Sequence, residues 1–400
     1  MAYQDKYLRL LSKEFPTVQA VSTELINLSA ILNLPKGTEV FITDIHGEFD
    51  AFNHYLKNAS GIIKEKIELL FNVLSEKKRN QIAFFIYYPT DMLNKYKEKL
   101  DNYEYKSLIK EQLFYMIRLA KNIISKYTKS KVGKTLPEEF SYTIQELIYE
   151  SRSHEDKGKY YDSIIDSIFK TKRENKFILE LSRFIRTLAI DQLHIVGDIF
   201  DRGPKPHLIM EKLLRKKNVD IQWGNHDIAF IGASCGCKVM IANVIRMAAR
   251  YNNLDTFEDG YGINLIPLAR LAQKYYSNDP CKEFYPKNSE TINSLEDLSF
   301  IARMHKAIAV IQFKLEGKVI KRNPNFNLDD RLLLDKIDFD NNQVLVNGKD
   351  YKLLDNNFPT IDKANPYILN KDEEEVINHL RHLFLHNEML QTHARYVIEK

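Results

Sequence analysis

The chain has little of what would place it among stapled, membrane-spanning or disordered proteins. Its three cysteines, Cys235, Cys237 and Cys281, are too few and too irregularly spaced for a disulfide framework, and they suit a reducing compartment. Cys235-Gly236-Cys237 has no second thiol pair to complete a thiolate metal site, so small side chains packed at a helix start are the plainer reading. No apolar run approaches the roughly 18 residues that a membrane span needs, and Met1–Tyr7 carries charges where a secretory signal would be apolar. A cytoplasmic protein without a membrane partner is expected. Charge of neither sign dominates: 58 Lys and Arg against 54 Asp and Glu leave +4, too small an excess to argue for nucleic acid. The basic stretches Lys121–Lys134 and Arg215–Lys217 lack an aromatic platform and read as solvated faces. Internal repeats and low-complexity linkers are also missing.

What is present is the balance of an ordinary globular protein, with 44% hydrophobic and 28% charged residues. Domains usually run to about 100–200 residues, so a chain of this length should form a core plus an accessory region. Apolar residues at helical spacing from Leu8 to Leu28 predict a helical lead-in over Tyr7–Leu34, ended by Pro35-Lys36-Gly37. Thr38–Asp44 reads as a short, mostly buried strand, followed by a helix through Phe52 and Tyr55. The next comparable strand is Leu193–Val196. The interval is dense in Leu, Ile, Phe, Lys and Glu at helical spacing, as in Glu111–Ile117 and Phe177–Leu181, and reads as a helical insertion. Helices are expected over Pro204–Lys217 and from Asp227 through Arg250, with a third buried strand at Val219–Trp223 between them. Beyond Asn253, helices are expected at Ile263–Tyr276, Leu295–Phe313 and Lys371–Lys400, with a strand pair in Leu332–Leu354 that turns at Asn347-Gly348.

The expected class is therefore α/β, built of βαβ units with parallel pairing. Four segments are expected: 1–57, the lead-in and first strand and helix of the core; 58–190, the helical insertion; 191–255, the core with the second and third motifs; and 256–400, mainly helical with a short strand pair. In parallel sheets ligands sit outside the carboxyl ends of the strands. Three polar motifs fall there: Asp44-Ile45-His46, the run Gly197–Gly203 (GDIFDRG) and the run Gly224–Asp227 (GNHD).

These motifs supply hard oxygen and imidazole ligands and no thiol, which suits Mn²⁺, Fe²⁺, Mg²⁺ or Zn²⁺. A two-metal hydrolase needs one bridging carboxylate. Asp198 is the natural bridge, Asp44 and His46 complete one metal, and Asn225 offers its carboxamide oxygen to the second. Two divalent ions roughly 3.5–4 Å apart acidify a bridging water and neutralise charge on the attacked phosphorus. His226 is then the general acid for the leaving group, oriented by Asp201. Arg202, with its planar fork, holds the phosphoryl group together with His226. A lone Asp-x-His triplet arises often by chance, whereas the seven-residue run is specific. His194 and His207 are expected to pack near the site, and His379, His382 and His386 to lie on a solvated helix face.

The three motifs resemble the calcineurin-like metallophosphoesterase signature. The wording around them narrows the likeness: Thr43–Phe52, Gly224–Ile228 through Ala233–Gly236, Asn243–Tyr251 and Gly260–Leu268 resemble the class III fructose-1,6-bisphosphatases of bacteria. The resemblance runs along the whole chain, the helical insertion included. It implies a metallophosphoesterase core, hydrolysis of the 1-phosphate of fructose 1,6-bisphosphate to fructose 6-phosphate in gluconeogenesis, and Mn²⁺ as activating ion. Family members are longer, and the late histidines of their metal sites, in a Gly-His-Thr motif and an earlier His-Gly segment, have no counterpart here. After His226 come only His305, His379, His382, His386 and His393, and the chain stops inside a helical pattern. A fragment of a longer product is therefore expected, with an incomplete two-sheet sandwich. Two other readings keep to the same residues: a phosphatase acting on a phosphoprotein or dinucleotide, and a non-catalytic binding protein.

Overall fold

The computed structural model describes residues 2–149, 155–287 and 294–400. The chain forms two compact units, Met1–Val40 with His54–Gln192 and Phe41–Asn53 with Leu193–Lys400.

The first unit is helical. Its lead-in is two helices rather than one, Ala2–Glu14 and Val18–Leu32, because Pro16 interrupts the run and the Thr17 side chain caps the second by accepting the Ala20 N–H. The apolar face anticipated there is largely exposed at Leu8, Leu25 and Leu28. The centre of the unit lies instead between Asn102–Ile124, started by a reciprocal Asp101–Glu104 capping box, and Glu174–Ala189. Leu113, Met116 and Ile117 of the one helix and Phe177, Leu181 and Ile185 of the other are buried, with Ile82 and Phe85 from Glu76–Tyr87. Helical spacing thus becomes a core by setting one apolar stripe against another.

The second unit positions the polar motifs. A three-stranded sheet has the order β1 (Glu39–Ile42), β2 (Gln192–Val196), β3 (Val219–Gln222). β2 and β3 are parallel, with Leu193 opposite Val219 and Val196 opposite Gln222, as expected of βαβ units. β1 departs from its expected burial. It is an edge strand in which only Val40 is buried and Phe41 stacks on His194 at 4.3 Å. A second sheet, β4 (Ile337–Asp338), β5 (Gln343–Val346) and β6 (Lys349–Lys352), is antiparallel and turns at Asn347-Gly348 as anticipated.

Several helix ends differ from the expected ones, each for a local reason. The helix after the second motif is Pro206–Leu214, not Pro204–Lys217, because the Lys205 N–H is drawn to the Gly47 carbonyl and Pro206 suits the first turn. The run to Arg250 is two helices, Asn225–Ser234 and Lys238–Arg250. Gly236 at φ +78° ends the first, and its N–H returns to the Ala233 carbonyl. Cys235 and Cys237 are exposed at this break rather than packed. Ile266–Tyr276 starts late, behind Asn264, while Leu295–Arg322 runs well past Phe313. Lys371–Lys400 is also divided, into Lys371–His386 and Glu388–Glu399, because the Asn387 side chain accepts the Leu390 N–H and donates to the Tyr261 carbonyl. The last helix lies against β3: the Trp223 indole donates to the Val397 carbonyl and the Ile221 N–H to the Lys400 carbonyl.

Candidate active site

Each motif begins where a strand stops: β1 leads into Asp44 and His46, β2 into Gly197 and Asp198, and β3 into the helix that opens with Asn225 and His226. What brings the first two together is backbone. The His46 N–H donates to the Asp198 carbonyl and the Gly47 N–H to the Ile199 carbonyl, both at 2.8 Å, while the Gly203 N–H returns to the His46 carbonyl at 2.5 Å. Gly47 and Gly203 cross at this seam. A Cβ on Gly47, which has φ +75°, would lie 2.4 Å from the Gly203 oxygen, and one on Gly203 would lie 2.4 Å from the His46 oxygen. The neighbouring Asp44, His46, Asp198 and Asp201 all adopt positive φ. Non-glycine residues rarely accept that conformation, and its concentration here marks a place where backbone strain is held by the surrounding structure.

One donor atom from each of Asp44, His46 and Asp198 lies within 4.8 Å of the others. The donor chemistry fits a divalent cation: two carboxylates and an imidazole, with no thiol. Thr43 donates to Asp44 and to the Val196 carbonyl, both at 2.9 Å, tying Asp44 to the end of β2. The His46 Nδ1 faces the Phe200 carbonyl at 3.4 Å and its Nε2 faces Asp44 at 3.4 Å. A proton on Nδ1 therefore leaves the Nε2 lone pair for a metal. The His226 N–H donates to Asp198 Oδ1 at 3.3 Å. Asn225, the expected ligand of a second ion, is exposed at the first position of its helix.

Asp201 is the hub of the remaining residues. Its fully buried Oδ2 lies 3.3 Å from His226 Nε2, 3.1 Å from Arg202 Nε and 3.8 Å from His46 Nδ1, and its Oδ1 has no hydrogen-bond partner. The His46 and His226 rings meet edge to face at 5.7 Å. Arg202 is half exposed and its guanidinium also covers the Tyr251 ring. A small cavity of about 30 Å³, lined by Phe200, Asp201, His226, Asn243, Met247 and Thr256 among others, lies beside this hub.

Asp227 belongs to the third motif, yet its part was missed in the sequence. It is fully buried and its carboxylate accepts four backbone N–H groups: Asp198 at 2.8 Å, Ile199 and Gly224 at 2.9 Å, and Phe200 at 3.5 Å. Burial raises its pKa, and those four donors oppose the rise. The signal was its spacing, three residues after Gly224, where an acidic residue closes a helix start.

Among the described residues, no histidine but His46 belongs to the Asp44–His46–Asp198 group. His194 pairs with Asp220 on β2 and β3 at 2.9 Å. His207 is half buried beside Tyr261 and Gly260. His379, His382 and His386 are exposed on one helix. His305 bonds the Phe284 carbonyl and His393 the Tyr261 hydroxyl, and burial lowers each to about 4.

Fold and site together define a mixed α/β protein with a carboxylate–imidazole cluster at its strand tips that could hold a cation. Residues 6–400 match the family described as Firmicute fructose-1,6-bisphosphatase, and the chain belongs to that family. The fructose-1,6-bisphosphatase class 3 of Clostridium acetobutylicum is 50% identical over 397 residues, and one of Clostridium botulinum is 49% identical over 393. In both, 98% of this chain is covered, and the chain spans 59% and 58% of those relatives' lengths. No solved structure matches the chain. Among the described residues, no helix is long and apolar enough to cross a membrane.

Proposed function

We propose that the chain carries the phosphoryl-transfer centre of a fructose-1,6-bisphosphatase with a metallophosphoesterase core, releasing phosphate from carbon 1 of fructose 1,6-bisphosphate during gluconeogenesis in the cytoplasm. The observation that carries the reading is the convergence of Asp44, His46 and Asp198 with the Asp201–His226–Arg202 hub. Asp44, His46 and Asp198 would hold one divalent cation, Mn²⁺ by preference, and Asp198 with Asn225 a second. Bound there, the cations would supply Lewis acidity toward the phosphoryl oxygens and a better nucleophile from water at neutral pH. Arg202 binds two phosphoryl oxygens through its fork, and its stacking on Tyr251 limits where that fork can point. His226 holds the proton that the departing sugar oxygen needs. Asp201, on the other side of the imidazole, keeps the ring in place and stabilises its charged form. With its second oxygen unpartnered, Asp201 can exchange partners without breaking a bond to the scaffold.

The test is phosphate release from fructose 1,6-bisphosphate by protein expressed from its natural reading frame, with Mn²⁺ and after chelation. Asp198→Asn removes a ligand charge and should abolish turnover. Turnover retained by that variant, or by chelated protein, refutes the metal-dependent mechanism; cleavage of a phosphopeptide instead of the sugar refutes the substrate.

A further inference from the structure

The helix Val18–Leu32 inverts the usual relation between composition and burial. It carries one charged residue, Glu24, among fifteen, and buries none of them. Glu174–Ala189, of nearly the same length, carries five charged residues and buries eight. Val18, Val21, Leu25, Leu28 and Leu32 recur at alternating intervals of three and four, which sets them in one seam along the helix. Their exposure runs from 43% at Val21 to 85% at Leu32. Ile26 and Ile31 flank the seam and are exposed as well. A helix that is apolar on more than one side needs a cover, and an exposed patch of this kind marks where a partner sits. Ala2–Glu14, joined to it through Pro16, adds Tyr7, Leu8 and Leu10, all exposed.

We propose that this seam is a self-association surface, on which Val18–Leu32 of one chain packs antiparallel against the same helix of a second copy, with the two-fold axis near Leu25. Area and charge both point to a second copy. At roughly 60 Å² of apolar surface for a side chain so exposed, ten of them offer on the order of 600 Å² per copy, above the ~500 Å² of apolar surface on one side of a standard dimer interface. A two-fold contact asks only that one patch complement itself. The seam meets that condition, being centred on Leu25 with Val21 and Leu28 next to it and Val18 and Leu32 at its ends. Beside it stand Gln19, Ser22, Asn27 and Ser29, so no row of charges selects a foreign helix or repels a like one. The single carboxylate, Glu24, is half buried and accepts from Asn27 at 3.5 Å. The surface uses none of the residues of the phosphoryl-transfer centre.

Sedimentation equilibrium of protein expressed from its natural reading frame tests the surface, and a dimer is expected at micromolar concentration. Leu25→Glu and Leu25→Lys each set a charge against its own copy and should weaken association about ten-fold or more, while an equimolar mixture of the two should associate again. Val73→Ser, at an exposed apolar residue elsewhere in the same unit, should leave association unchanged. Because Leu25 is exposed in the single chain, near-ultraviolet circular dichroism should be the same for both Leu25 variants as for the parent. A parent protein that stays monomeric, a dimer that the Leu25 variants leave intact, or a mixture that stays monomeric would overturn the proposal. Loss of the near-ultraviolet signal in both variants, or a monomer whose Val18–Leu32 amides resist hydrogen exchange, would place the cover within one chain and overturn it too. Purification in a fixed ratio with a different protein would give the seam a foreign occupant, with the same consequence.

Discussion

The carboxylate of Asp227 accepts the backbone N–H of Asp198 at 2.8 Å, so the last residue of the third motif sets the backbone near the start of the second. Asp227→Ala would leave up to four N–H groups without an acceptor in a buried loop. Such losses cost about 1–3 kcal/mol per group and are not additive, so urea unfolding should show a loss of roughly 3 kcal/mol or more. Mn²⁺ affinity, read by calorimetry on the folded fraction, should fall with it. Asp227→Asn, which keeps one acceptor oxygen, should lose less of both.

The Gly47–Gly203 seam makes a prediction of sign. Gly47→Ala places a methyl 2.4 Å from a carbonyl oxygen at a positive φ and should lower stability by about 2 kcal/mol or more. Gly133→Ala, within the helix Lys129–Thr135 and facing open space, should instead raise it by about 0.5–1 kcal/mol. Thermal unfolding of the two variants checks both directions.

Lys306 is fully buried, with its ammonium 2.5 Å from both Asp279 and Asp355 and the rings of Tyr276 and Phe358 around it. Lys306→Met keeps most of the volume and strips two carboxylates of their cation. Breaking a buried pair from one side costs about 3–5 kcal/mol, and the urea midpoint at neutral pH should drop accordingly. An unchanged midpoint would mean that water compensates those carboxylates.

His393, buried against the Tyr261 hydroxyl, has a pKa held down to about 4 by burial first and His207 second. Between the ordinary value of 6.5 and 4 the unfolded chain takes up a proton that the folded chain refuses. The stabilisation is therefore present above 6.5 and is lost as pH falls toward 4. His393→Gln should flatten the decline of stability across that window by up to ~1.4 kcal/mol per pH unit. His305, lowered to about 4 in the same way, remains and keeps part of the slope.

Much of the fold was legible because its signals are local. Short apolar strands running into polar tips located β1, β2 and β3, and helical spacing predicted the helical character of the chain between β1 and β2. The breaks at Gly236 and Asn387 were not legible from spacing, because apolar periodicity continues across them while the stop is made by caps and by a bond to the distant Tyr261 carbonyl. Nor could a run such as Val40-Phe41-Ile42 declare its own burial: whether those side chains are covered depends on β1 lying at a sheet edge.

The sequence by itself determined the carboxylate and imidazole residues of the motifs, their order, their place after strand ends and the family wording around them, since each is carried within a few consecutive residues. Only the tertiary structure decided that Asp201 serves His46, His226 and Arg202 at once and that Asp227 holds the second motif's backbone. Apart from the Asp201–Arg202 contact, those relations join residues that are far apart in the chain. They exist because backbone bonds such as His46 to Asp198 close the loops between them, and no local pattern encodes which loops will close.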